Sequence, residues 1–404
     1  MILKNRYYFL VILTVLLASC SPKIRTVKTE TEKKTEQEKV PDKKKIIRKL
    51  STANLSLLLP FNLDNAKLKA MSKADVEKYA MPIDFYQGFK MGLDSVASSG
   101  LNFNFGVYDT QDDNTRIGSL FKNEQFRKSN LVVGPVFPEG LKYITNYSKL
   151  NNVPVVSPLA ASEPSDFNNP NLISIVNNID LHAKKIAAYI SKNANANTIV
   201  VIINTKKTED EAFAAPIRDY LKNQGSKPIV QEYASAFSFE TKMIKGKQYA
   251  VIISSYDRAF VLPTIEKLYK LKNLPAGGYA INLYGHPMWS KQNYPTDKLQ
   301  NLNAIISSSY KVDYKSSSVI NFIKRYRSKY GFEPGEYAFK GFDVAFYFGK
   351  LLSNYGEDYL EFLTKEKYKG LHNNFSFIQD AQYGYINISL MLLRYKNFAL
   401  DIVE

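Results

Sequence analysis

Short apolar runs alternate along most of this chain with stretches whose apolar residues recur every three or four positions. The alternation is clearest in Ser129–Ser162. There the runs Leu131–Val133 and Val153–Val156 are flanked by turn residues, and Leu141, Ile144 and Leu150 between them fall at helical spacing. Strand, loop, helix, strand is the unit of a parallel sheet covered by helices. Each run leads into a loop rich in Gly, Pro and Ser, Gly134–Pro138 and then Ser157–Ser162. Such loops lie at the carboxyl ends of the strands, where open α/β sheets bind their ligands.

The same reading extends in both directions. Upstream it predicts a strand at Asn54–Leu59 and a helix Ile83–Ser98 opened by Pro82, whose missing N–H suits a first turn. A strand at Asn102–Tyr108 and a helix over Thr115–Arg127 follow. Downstream, Leu172–Val176 leaves this set, and Asp180 is placed to cap a helix Leu181–Asn193. Strands at Thr198–Ile203, Tyr249–Ser254, Gly278–Leu283 and Ala304–Ser308 then alternate with helices Glu209–Asn223 and Phe260–Lys270. Two strongly periodic helices, Ser317–Tyr330 and Tyr337–Tyr355, precede closing strands at Phe375–Ile378 and Tyr385–Arg394. The pattern predicts two similar α/β lobes, and the roughly 350 residues after the first fifty exceed one ordinary core.

The N-terminus changes the picture. Lys4 and Arg6 precede the apolar run Tyr7–Leu17, and Leu17-Ala18-Ser19-Cys20 follows, a sequence expected to act as a secretory signal. Ser21–Leu50 has no aromatic residue and no sustained apolar period, which predicts a disordered basic tether. Of the formal net charge of +16, the signal segment carries +2 and the tether +6, leaving +8 for the body. The high pI therefore describes an arm suited to an anionic surface, and no basic run interleaved with aromatics suggests nucleic acid. With Cys20 as the only cysteine, no internal disulfide is possible.

Catalytic chemistry finds little support. His182, His286 and His372 are far apart and none has metal-ligand spacing. His182 reads as a solvated residue at a helix start. Neither a G-x-S-x-G elbow nor a phosphate loop is present. No catalytic residue, metal or cofactor is expected, so the chain reads as a binding protein rather than an enzyme.

Several local sequences, in order, resemble type I periplasmic binding proteins, the leucine-binding-protein-like fold of branched-chain amino acid and amide transporters. They include Leu57-Leu58-Leu59-Pro60, the FYQGFKMGLD stretch from Phe85 to Asp94, Val107-Tyr108-Asp109-Thr110 and Val132-Val133-Gly134-Pro135. Val153-Pro154-Val155-Val156-Ser157-Pro158, Tyr330-Gly331 and Gly341-Phe342-Asp343 continue the match. The resemblance implies two lobes, each a mostly parallel sheet with helices on both faces, and a ligand cleft between them. It implies three crossings, with 51–173 and 316–372 in the N-lobe and 174–315 and 373–404 in the C-lobe. Leu-Ala-Ser-Cys resembles the lipobox of bacterial lipoproteins, which implies acylation of Cys20. Ser21 after it leans towards the outer rather than the inner membrane.

By the same resemblance, Ser157, Ala160 and Ser162 match the loop that holds a ligand carboxylate, and Phe137 lies in the loop after Gly134-Pro135. On the second lobe the implied contacts are Tyr256 and Asp257, with Tyr284, His286 and Trp289 around the Tyr-Gly-His-Pro-Met-Trp turn. Two functions are consistent with this. One is a lipid-anchored solute-binding protein delivering a small polar ligand to an ABC permease. The other is an envelope lipoprotein regulating a peptidoglycan synthase, because the same stretches are also similar to the lipoprotein activators of penicillin-binding proteins.

Overall fold

The computed structural model describes residues 49–62, 72–223 and 228–404. Cys20 and the tether up to residue 48 lie outside the described residues. Within Ile47–Glu404 the chain builds two seven-stranded sheets with helices against both faces of each.

The first sheet begins with β1 (Thr52–Leu59), α1 (Lys73–Ala97) and β2 (Asn102–Asp109). It continues through α2 (Asn114–Leu120), α3 (Glu124–Arg127), β3 (Leu131–Val133), α4 (Pro138–Asn151), β4 (Val155–Ser157) and β5 (Leu172–Ser174). Period two in the strands sorts the side chains. Leu57, Leu59, Val133, Val156 and Ile173 face one layer, and Leu58, Val132, Val155 and Leu172 face the other. Leu141 and Ile144 of α4 cover the second of these faces, whereas Leu150 is 86 % exposed and takes no part.

The chain then crosses to the second sheet. This holds α5 (Ile179–Asn193), β6 (Thr198–Ile203), α6 (Thr208–Lys222), β7 (Ile229–Tyr233), α7 (Ala236–Glu240) and β8 (Gln248–Ile253). Then come α8 (Arg258–Lys272), β9 (Ala280–Gly285), α9 (Thr296–Asn301) and β10 (Ile305–Ser308). It crosses back for α10 (Ser317–Tyr330), α11 (Glu336–Tyr355), a small hairpin of β11 (Tyr368–Lys369) and β12 (Asn374–Phe375), then β13 (Phe377–Asp380) and β14 (Gly384–Asn387). It ends in the second sheet with β15 (Met391–Lys396) and β16 (Ala399–Ile402). The strand orders are β13-β14-β5-β4-β3-β1-β2 and β16-β15-β10-β9-β8-β6-β7. Helices α1 and α11 cross at glycines: a Cβ on Gly88 would lie 1.8 Å from the Ala338 carbonyl oxygen, and one on Gly341 2.1 Å from that of Phe85.

Four expectations are corrected. Helix α1 starts at Lys73 and runs through Pro82, because Met81 and Phe85 on either side of the proline are held by the core. The Thr115–Arg127 segment is two helices, each with its own side-chain cap, Asp113 and Asn123. Asn178, not Asp180, caps α5, its side chain accepting from the Leu181 N–H at 3.0 Å. The final crossing lies at 388–390, so 373–387 does not belong to the second lobe: β14 pairs in parallel with β5, Tyr385 opposite Ile173. The apolar run Tyr385–Arg394 is cut at Asn387, whose amide donates to the carbonyls of Ile175 at 3.0 Å and Asn374 at 3.1 Å. Asn177 returns the contact, donating to the Asn387 carbonyl at 2.7 Å, so the first and last crossings are bound to each other.

Candidate functional site

The carboxyl ends of β4, β9 and β10, the first crossing and the first turns of α5 and α11 converge on a cavity of about 460 Å³. Both sheets contribute. Leu159, Ala161 and Glu163 come from the loop after β4, and Lys340 from α11; His182, His286 and Ser307–Ser309 come from the second sheet and its helices.

The wall on the second sheet is uncharged. His182, one turn into α5 and 7 % exposed, has Nδ1 2.9 Å from the Ser307 hydroxyl and Nε2 3.1 Å from that of Ser309. Burial brings its pKa down to about 4, so the imidazole is neutral at pH 7 and one serine donates to it while the other accepts. His286 directly follows β9, and its Nδ1 accepts from the Met288 N–H at 3.1 Å, capping a 3₁₀ turn Pro287–Lys291. Its ring sits between Tyr256 at 4.9 Å and Phe213 at 5.0 Å. Burial first, and the neighbouring His182 second, bring its pKa down to about 3.

Charge enters from the rims. Lys340 pairs with Glu336 one turn earlier at 2.7 Å and lies 4.9 Å from the centre of the Tyr310 ring, which stacks on His372 at 4.4 Å. Burial lowers the Lys340 pKa against the opposing pull of Glu336. On the other rim Glu163 accepts from the Asn178 amide at 2.5 Å, a contact between the two lobes. Burial and then Asp180 raise its pKa.

Of the residues singled out from sequence, the structure brings His286 to the cavity. Ser157 lies at the end of β4 and is 1 % exposed; its carbonyl accepts from Ile175 N–H at 3.1 Å, and it does not line the cavity. The loop after it alternates, sending Leu159 and Ala161 to the cavity and Ala160 onto the core under α4, with Ser162 half-buried between. Phe137 is a largely exposed cap of α4. Tyr256 backs His286 from behind, and Asp257 caps α8 through the Ala259 N–H at 3.0 Å and pairs with Lys207 at 3.2 Å. Tyr284 is core, and Trp289 is fully buried, donating its indole N–H to the Ser255 carbonyl at 2.9 Å. Sequence reasoning missed His182, the Ser307–Ser309 run, Glu163 and Lys340. The serine run closing a strand was the one signal available for them.

A family model described as periplasmic binding protein matches residues 81–379. Among solved structures, a putative branched-chain amino acid ABC transporter from Rhodospirillum rubrum superposes with a TM-score of 0.64 at 14% identity, over 87% of this chain and 100% of that one. An ABC transporter substrate-binding protein from Desulfitobacterium hafniense in complex with Leu gives 0.53 at 14%, again over 87% and 100%. The C-domain of LpoA from Haemophilus influenzae, a regulator of PBP1A, gives 0.55 at 14%, over 87% and 100%. No curated protein matches. At this identity the three structures speak for the fold.

Proposed function

The chain belongs to the periplasmic binding protein family, and from that premise we propose that it captures a small polar solute, amino-acid-like or an amide, between its lobes. The observation that carries this reading is the cavity of about 460 Å³, to which both lobes and the first crossing contribute polar groups. That volume is within the range of about 300–1,000 Å³ typical of small-molecule sites. A lobe interface strung on three short crossings suits hinge closure, and the Glu163–Asn178 bond is one contact that opening would break. Acylated at Cys20 and tethered by 21–50, the protein would face the periplasm, more readily from the outer than the inner membrane, and hand its ligand to an ABC permease.

Thermal-shift screening of the mature protein against amino acids, amides, short peptides, nucleosides and sugars tests this. A ligand that raises Tm, and whose effect is lost on His182→Ala or His286→Ala, supports the reading. The likeness to the LpoA C-domain supports a second one, a lipoprotein that regulates a peptidoglycan synthase. No shift with any solute, together with capture of a wall synthase by the immobilised protein, would replace the first reading with the second.

A further inference from the structure

The charges at the cavity mouth are arranged unevenly. Lys340 enters from α11 of the first lobe, and Lys291 enters from the 3₁₀ turn after β9 of the second. Both line the same cavity, and the Lys291 charge is felt at Lys340, at Glu336 and at His372. Glu336 is the carboxylate between them; it pairs with Lys340 at 2.7 Å and stands 3.8 Å from His372 Nε2. Burial leaves His372 neutral, with a pKa brought down to about 4. Two lysines from opposite lobes thus share one carboxylate, which leaves one positive charge uncompensated where the lobes meet. Glu163, the carboxylate that lines the cavity itself, is on the opposite rim: its carboxyl answers to Asp180, Asp166 and Lys184, and it is held by Asn178. Among the described residues, the wall between the two ends is uncharged, with neutral imidazoles and serine hydroxyls beside the Asn177 and Asn373 amides and apolar side chains.

We propose that the solute captured in this cleft carries one anionic group, and that this group bridges Lys291 of the second lobe and Lys340 of the first. This rests on the solute-binding reading given above. Without the anion the two ammonium groups repel across the mouth and resist closing. With it, each lobe gains a charge-assisted hydrogen bond to the same ligand group, so the ligand's charge contributes directly to closure. A neutral isostere reaches the His182–Ser309 wall equally well but supplies no such bridge.

The test uses shape-matched acid–amide pairs on the mature protein: leucine with leucinamide, glutarate with glutaramide, and 4-aminobutyrate with its amide, read by thermal shift and calorimetry. The expected result is that an acid binds at least roughly tenfold more tightly than its amide, the weight of one charge-assisted hydrogen bond. Lys291→Gln should abolish that preference, and because Lys291 is exposed this variant folds whatever happens to Lys340→Met. An independent arm needs no ligand. Lys291→Glu reverses the repulsion across the mouth and should reduce the radius of gyration of the ligand-free protein in X-ray scattering. An amide that binds as well as its acid would overturn the bridge and leave solute capture standing. So would an unchanged radius of gyration in Lys291→Glu. Failure of every pair to bind would overturn both.

Discussion

Asp343 offers a quantitative test of how the loop between β11 and β12 is held. It lies one turn after Lys340 on α11 and is completely buried. Its carboxylate accepts from the N–H groups of Leu371 and His372 at 2.8 Å each and of Asn373 at 2.9 Å, and from the Tyr368 hydroxyl at 3.1 Å. These bonds favour the charged form, but burial outweighs them and lifts the pKa from 3.8 to about 6. The folded protein therefore binds this proton more tightly than the unfolded chain. Stability from this group is complete only well below pH 3.8 and is lost as pH rises through 6. A rise of about two pH units at about 1.4 kcal/mol each amounts to about 3 kcal/mol. Asp343→Asn keeps the shape and removes the titration. The assay is urea denaturation of both proteins at pH 4, 5 and 6.5, followed by circular dichroism and by fluorescence of Trp289, the only tryptophan. Relative to the variant, the wild type should lose about 2 kcal/mol of that between pH 4 and 6.5, other titrating groups cancelling in the difference. A difference that stays flat to within about 1 kcal/mol would refute the claim that burial dominates at this carboxylate.

Three further outcomes follow from single positions. Gly134 has φ +88° and a Cβ there would stand 2.2 Å from the Leu58 carbonyl oxygen, so Gly134→Ala should cost at least about 2 kcal/mol in denaturant melts. Burial pushes the Glu232 carboxyl up, but Lys206, Asn204 and Arg218 together bring it down to about 2. Its contribution is therefore present above pH 4.5 and fades as pH falls towards 2. After allowance for solvent, Glu232→Gln should lose about 1 kcal/mol at pH 7 and much less at pH 3, measured by chemical denaturation. Trp289→Phe leaves the Ser255 carbonyl without its donor and opens space in the second core, so it should destabilise by about 2–4 kcal/mol in the same melts while a bound ligand's affinity changes little.

The two-lobed fold was legible because strand and helix periods differ and each buried run carries one of them. What escaped were places where packing overrides local signals. Pro82 reads as a helix start, yet the helix passes through it because Met81 and Phe85 are anchored. Tyr385–Arg394 reads as one strand, yet Asn387 spends its side chain on another crossing and the chain changes sheet there. The site was legible as a set of strand-end loops and not as residues. His182 has the look of a solvated helix start, and its partner Ser307 lies 125 positions away, beyond any local pattern. Lys340 reads as half of an ordinary i,i+4 surface pair with Glu336, although its side chain is only 13% exposed. Trp289 reads as a ligand contact beside the Tyr-Gly-His-Pro-Met-Trp turn, and the fold uses it as core.

The most direct test of solute capture is to expose the mature protein to a metabolite extract, wash it, and identify by mass spectrometry what denaturation releases. A single small polar solute retained by the wild type and lost from His182→Ala is the result the account predicts. Recovery of no solute from the folded wild type would contradict it.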